Sequence, residues 1–177
     1  MDWIDVAIDY IIHKPVESHN INIKCMQAYT YITAIDIIWQ SIQQLHRVII
    51  DKESIPFAGE KKIFSENKIC KDDNEYFKHI RAVFGAHPVN LNQGGRRFAS
   101  WPTDRVYDQY DYAVILYSAT IDEEDIVFGY RFRELDEFLE SRYGYLGFLM
   151  EEIENQYQNY RKSKINEVIE QTTCIIE

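Results

Sequence analysis

The sequence predicts a mainly α-helical fold, a bundle of long helices with one β-hairpin inserted at about residues 111–133. Apolar residues recur at intervals of three and four over most of the 177-residue chain, the period of a helix face. Between Tyr112 and Phe132 that period changes. YAVILYSA and IVFGYRF are short, rich in β-branched and aromatic residues, and joined by the acidic TIDEED, the pattern of a hairpin. An apolar share of 46% with 14% aromatic residues is enough for a buried core and argues against a disordered chain. No internal repeat or low-complexity stretch divides the sequence, so residues 1–177 are expected to form a single domain.

In chain order, Ile4, Ile8, Ile11 and Ile12 mark a short first helix over Asp2–His13, closed by Pro15. Ser18 and Asn20 supply caps for the next. From Ile21 to about Ile50 there is neither Gly nor Pro. Cys25, Ala28, Ile32, Ile35, Trp39, Ile42, Leu45 and Ile49 line one face there, which predicts a core-facing helix of roughly thirty residues. A neighbouring stripe, with Met26, Tyr29, Asp36 and Gln43, is mixed in character. Asp51–Gly59 is a loop able to tuck Phe57 inward, and Lys61–Lys71 has no clear period. A third helix runs from Asp72, where Asp72 or Asp73 accepts from the first-turn N–H groups. Phe77, Ile80, Val83 and Phe84 form its apolar face, and Pro88 ends it near His87.

Asn92–Pro102, punctuated by GG, RR and WP, is predicted to be loop. In the hairpin that follows, Ile126, Phe128, Tyr130 and Phe132 share one apolar face, which must pack on helices because an isolated hairpin is marginal in water. From Arg133 to about Gln171 the helical period continues for about ten turns. Only Gly144 and Gly147 weaken it; each costs about 1 kcal/mol against alanine, and together they predict a kink or a close helix approach.

A net charge of −10 argues against broad sequence-independent binding to DNA, which needs many phosphates neutralised by Lys and Arg. It leaves room for a small site built from local cations. KKIFSENKICK at 61–71 and NQGGRRF at 92–98 are both basic, and they flank the third helix. Cys25, Cys70 and Cys174 are odd in number and scattered, unlike a disulfide framework. No run of eighteen apolar residues is present, and MDWIDVAIDY lacks the basic start of a signal peptide. The expectation is a cytoplasmic, reduced protein with no membrane partner.

The chemistry concentrates in RAVFGAHPVNL, where Arg81 and His87 are separated by five residues. This stretch resembles the R-x(4–6)-H motif of HEPN domains, and the HPVNL ending strengthens the likeness, which covers about Ile80–Leu91. The resemblance implies a HEPN-like helical bundle. It further implies a metal-independent endoribonuclease of the toxin–antitoxin or anti-phage defence kind, with two motifs paired across a homodimer. One position departs from the pattern: catalytic members usually carry a polar residue directly after the arginine, and here that residue is Ala82.

The residue types suit the implied reaction. Arginine is always charged, and its planar fork can grip a phosphate and stabilise charge growing on its oxygens. Histidine titrates near neutrality and can exchange a proton with a ribose hydroxyl or a leaving oxygen. In a straight helix six residues turn through about 600°, leaving Arg81 and His87 roughly 120° apart. They converge only if the helix opens at Gly85 and Pro88, or if two protomers meet about a two-fold axis. Arg81 and His87 are thus the candidate catalytic pair, and Asn90, Arg96 and Arg97 candidate substrate contacts. Asn90 fits a turn residue equally well. Arg96, Arg97 and Trp101 could hold phosphates and stack a base, or anchor the loop. His79 is expected at the surface. Cys70, His79 and His87 do not match zinc-ligand spacing, so neither metal nor cofactor is expected. The partners implied are a second copy of the chain, RNA, and an antitoxin or regulatory protein. The alternative function is a non-catalytic HEPN-like nucleotide- or protein-binding module, which Ala82 and the acidity favour.

Overall fold

The computed structural model describes residues 2–65, 68, 70–86, 97–100, 109–120 and 122–176, with only the backbone at 85, 86 and 170–176. Four helices and a three-stranded sheet are described. Helices α1 (Asp2–Ile12) and α2 (Ile21–Ile49) lie where the periodicity put them. Asn20 caps α2, its side chain accepting from the Asn22 and Ile23 N–H groups. The predicted apolar stripe of α2 is the core face: Cys25, Ala28, Ile32, Ile35, Trp39 and Ile42 are buried, with Leu45 and Ile49 packed at its edge.

Helix α3 (Asp73–Arg81) starts at its N-cap Asp72, whose carboxylate accepts from Glu75 N at 2.8 Å. Asp73 does something the sequence did not indicate. Fully buried, it accepts from three consecutive backbone N–H groups, those of Lys62, Ile63 and Phe64, at 2.8, 3.1 and 3.4 Å. One carboxylate thereby straps the aperiodic basic segment across the start of α3, and Phe64 reaches the core between Tyr76 and Phe138. Phe57 does tuck inward, at φ 60°, edge-on to Trp39 and Tyr145.

The hairpin consists of β2 (Tyr112–Ser118) and β3 (Ile126–Tyr130), antiparallel, with Val114 opposite Phe128. A third strand, β1 (Arg97–Ala99), pairs antiparallel with β2 and lies inside the stretch predicted to be loop. Three residues are too few to display a strand period; the pairing with Leu116–Ser118 makes the strand. Phe128 packs at a tilt against the Tyr76 ring, and Tyr130 meets Phe84 edge-on, so the apolar face of the sheet does rest on the helices. Gly129 is required there: a Cβ would collide with the Tyr112 carbonyl oxygen and the Tyr110 ring, and the Tyr76 hydroxyl donates to the Gly129 carbonyl.

Helix α4 (Phe132–Ile176) begins with Glu134 reaching back to Arg131 N while its other oxygen accepts from Ser65 N and Oγ. It corrects the expectation at Gly144 and Gly147. The helix runs unbroken through both, and a Cβ at either would touch nothing within 4 Å, so no helix approaches closely there. Among the described residues no helix is long and apolar enough to cross a membrane.

Candidate functional site

Between α2 and α3 lies a cleft of about 380 Å³. The mixed stripe of α2 forms one wall with Asp36, Gln40 and Gln43, spaced four and three apart, and with Trp39. From α3 come Asn74, Glu75, Lys78 and Arg81 together with Phe77, and the adjoining face of the same helix carries Phe77 and Ile80 into the core. Lys71, from the end of the strapped basic segment, completes a set of three cations facing Asp36, Asp72 and Glu75.

Arg81 stands at the hinge of this arrangement. It is the last residue of α3, and the five residues after it, Ala82–Ala86, form a π-helical turn. Such turns, with i to i+5 bonding, are rare and recur at functional sites. The α-helical period predicted through to His87 therefore gives way at Ala82, ahead of Gly85. Arg81 Nη1 donates to Asp36 Oδ2 at 2.8 Å. Its side chain is 43% exposed against 17% for Asp36, so the guanidinium is oriented by a carboxylate on α2 while still facing solvent. A bidentate fork held by one nitrogen at a cleft edge is suited to meeting a phosphate.

His87, Asn90, Arg96 and Trp101 lie outside the described residues. Arg97 is described, and its guanidinium turns inward. It is 8% exposed, and Nη1 donates to the carbonyl oxygens of Glu124 at 2.9 Å and Leu116 at 3.4 Å, with Glu123 at 3.5 Å from Nη2. This is the loop-anchoring geometry, tying β1 to the hairpin turn. His79 departs from its expected surface position: it is half-buried, with Nδ1 3.3 Å from the Cys70 sulfur. The two do not form an activated thiolate pair. Burial pushes the Cys70 thiol up to about 12 and lowers the His79 pKa, so both neutral forms are favoured.

Several polar residues missed in the sequence organise the surroundings. Arg142 is 1% exposed, packed over the rings of Phe138, Phe57 and Trp39, and donates to Asn74 Oδ1 at 2.9 Å. Burial brings its pKa down to about 10, against the pull of Asp73, Glu60 and Asp72. Because Asn74 lies at the cleft, Arg142 supports the α3 wall from beneath. His46 is buried and satisfied on both sides, Nδ1 by the Tyr145 hydroxyl and Nε2 by Ser54 Oγ, each at 2.8 Å. Asp36 was visible as the charged member of the mixed stripe, but only packing shows that it faces Arg81. Among the described residues no three His, Cys, Asp or Glu side chains are grouped to share a metal ion.

The chain matches no protein-family model, no curated protein and no solved structure.

Proposed function

We propose that this chain is a HEPN-like, metal-independent endoribonuclease of the toxin or anti-phage defence kind, acting as a homodimer. The observation that carries the reading is Arg81 itself: a solvent-facing guanidinium, oriented by Asp36, at the edge of a cleft and at the start of a π turn within the R-x(5)-H motif. In this mechanism Arg81 grips the scissile phosphate and stabilises the charge that builds on its oxygens. His87 takes the proton of the ribose 2′-hydroxyl, whose oxygen attacks the adjacent phosphorus. The P–O bond to the 5′-oxygen breaks, that oxygen takes a proton, and a 2′,3′-cyclic phosphate remains on the other fragment. The 2′-hydroxyl is the nucleophile, so the step requires no metal-bound water.

A second reading, a non-catalytic nucleotide- or protein-binding module, is favoured by a specific observation: Arg81 already holds a carboxylate partner, in a protein of net charge −10 that carries Ala82 after the arginine. Incubation of the purified chain with single-stranded RNA in chelator separates the two. Cleavage that disappears in both His87→Ala and Arg81→Ala supports the nuclease. Intact RNA with wild type, together with Arg81-dependent retention of a nucleotide, supports the binding module.

A further inference from the structure

Helix α4 outruns the body that anchors it. At 1.5 Å per residue its 45 residues extend about 68 Å. Gln156 is still tied to the body, its Nε2 donating to the Ile49 carbonyl at 2.7 Å. Along the same reach Tyr143, Leu146, Met150, Ile153, Tyr157 and Tyr160, followed by Lys164, alternate at spacings of three and four. That is the a/d seam of a heptad, the narrow stripe that one helix presents to another. Met150, Ile153, Tyr157 and Tyr160 are 69, 51, 54 and 61% exposed. A projecting helix gains little from propensity alone, and most helices in proteins are stabilised by covering such a face.

We infer that a second copy of this chain covers it, lying antiparallel along α4. Charge selects both the occupant and the direction. Glu151, Glu152 and Glu154 precede the middle of the seam, while Arg161, Lys162 and Lys164 follow it. Antiparallel pairing about a two-fold axis near Tyr157 and Gln158 sets Glu154 of each copy against Arg161 of the other. Both residues occupy the e position, the flank that meets its own kind in antiparallel coiled coils. The same register places Lys164 against Ile153, across which its aliphatic stem can lie. Parallel pairing would instead set Lys164 on Lys164 in the seam and each acidic cluster on itself. Within the chain Glu154 accepts from the amide of Gln158 at 2.6 Å, and the Arg161 guanidinium lies 5.8 Å from the Tyr157 ring centroid. Among the described residues neither has an ion-pair partner.

The homodimer of the proposed function would also double the mass, so the charge variants on α4 decide this surface, and they are independent of any nuclease activity because Arg81 lies on α3. Sedimentation equilibrium of the full chain over a concentration series should give twice 21.1 kDa. E154K and R161E each turn two attractive contacts into repulsive ones and should weaken dimerisation by about tenfold. An equimolar mixture of the two variants should recover wild-type affinity as a heterodimer, because each variant restores the other's pairs. Both positions are exposed, and unchanged circular dichroism checks that the helix is kept. A wild type that stays at 21.1 kDa overturns the inference, as does dimerisation unaffected by either substitution. A mixture no tighter than its components also overturns it, leaving the seam to a different occupant.

Discussion

Arg81 and Arg142 are both helical arginines at α3, Arg81 as its last residue and Arg142 against Asn74 in its first turn, yet they are built for opposite purposes. Arg142 is sealed beneath the cleft among three aromatic rings, with Asn74 as its hydrogen-bonded partner across the helices and its Nε buried without a hydrogen bond among the described residues. Arg81 stands at the cleft edge, open to solvent and held by one carboxylate. A buried cation is costly to desolvate and costly to remove, because its neighbours have closed around it; a solvent-facing cation paired at a cleft edge contributes less to stability and keeps its charge for use. The difference teaches that on this molecule the cation essential to folding and the cation available for chemistry are separate residues.

Four substitutions and one titration can break or sharpen that contrast. Arg142→Ala should destabilise the fold most, by about 3–5 kcal/mol in urea unfolding, through the cavity among Trp39, Phe57 and Phe138 and the orphaned Asn74 oxygen; a loss below about 1 kcal/mol would put Arg142 in the same class as Arg81. Asp73→Asn comes next. It replaces the charged acceptor of three N–H groups and should cost about 1–3 kcal/mol, with earlier proteolysis at residues 60–65 as a second readout. Gly144→Ala should raise stability by up to about 1 kcal/mol, since the new methyl meets nothing and the helix loses a weak position. Arg81→Ala should move the unfolding midpoint by no more than about 1 kcal/mol while abolishing whatever RNA or nucleotide interaction the chain has.

The smallest effect is a pH slope. Burial holds the His79 pKa below its ordinary 6.5, so below that value the unfolded chain binds more protons than the folded one. Stability is therefore fully present above pH 6.5 and is lost as pH falls through the window beneath it. Urea midpoints measured on either side of pH 6.5 should show that loss in wild type and a flatter slope in His79→Gln.

Local patterns made much of this visible. The stripe of α2, the Asn20 and Asp72 caps, the change of period at Tyr112 and the reach of α4 all depend on interactions within a few residues, and each could be read from spacing. β1 could not, because its three residues are strand only by pairing with β2. Nor could the roles of the buried polar groups. Asp72 and Asp73 are adjacent and chemically identical, and only the chain folded over them makes one a helix cap and the other a strap for residues 62–64.

The candidate site divides in the same way. By itself the sequence determined that Arg81 sits near the end of an amphipathic helix, at the first position of a motif whose chemistry suits a phosphate, and that Arg97 is either a ligand or an anchor. Only the tertiary structure decided that Asp36, forty-five residues away, orients Arg81, and that the carbonyls of Leu116 and Glu124 claim Arg97. The physical reason is range. Helical period and capping are set by neighbours along the chain, whereas burial and the choice of ion-pair partner are set by whatever the packed core brings alongside.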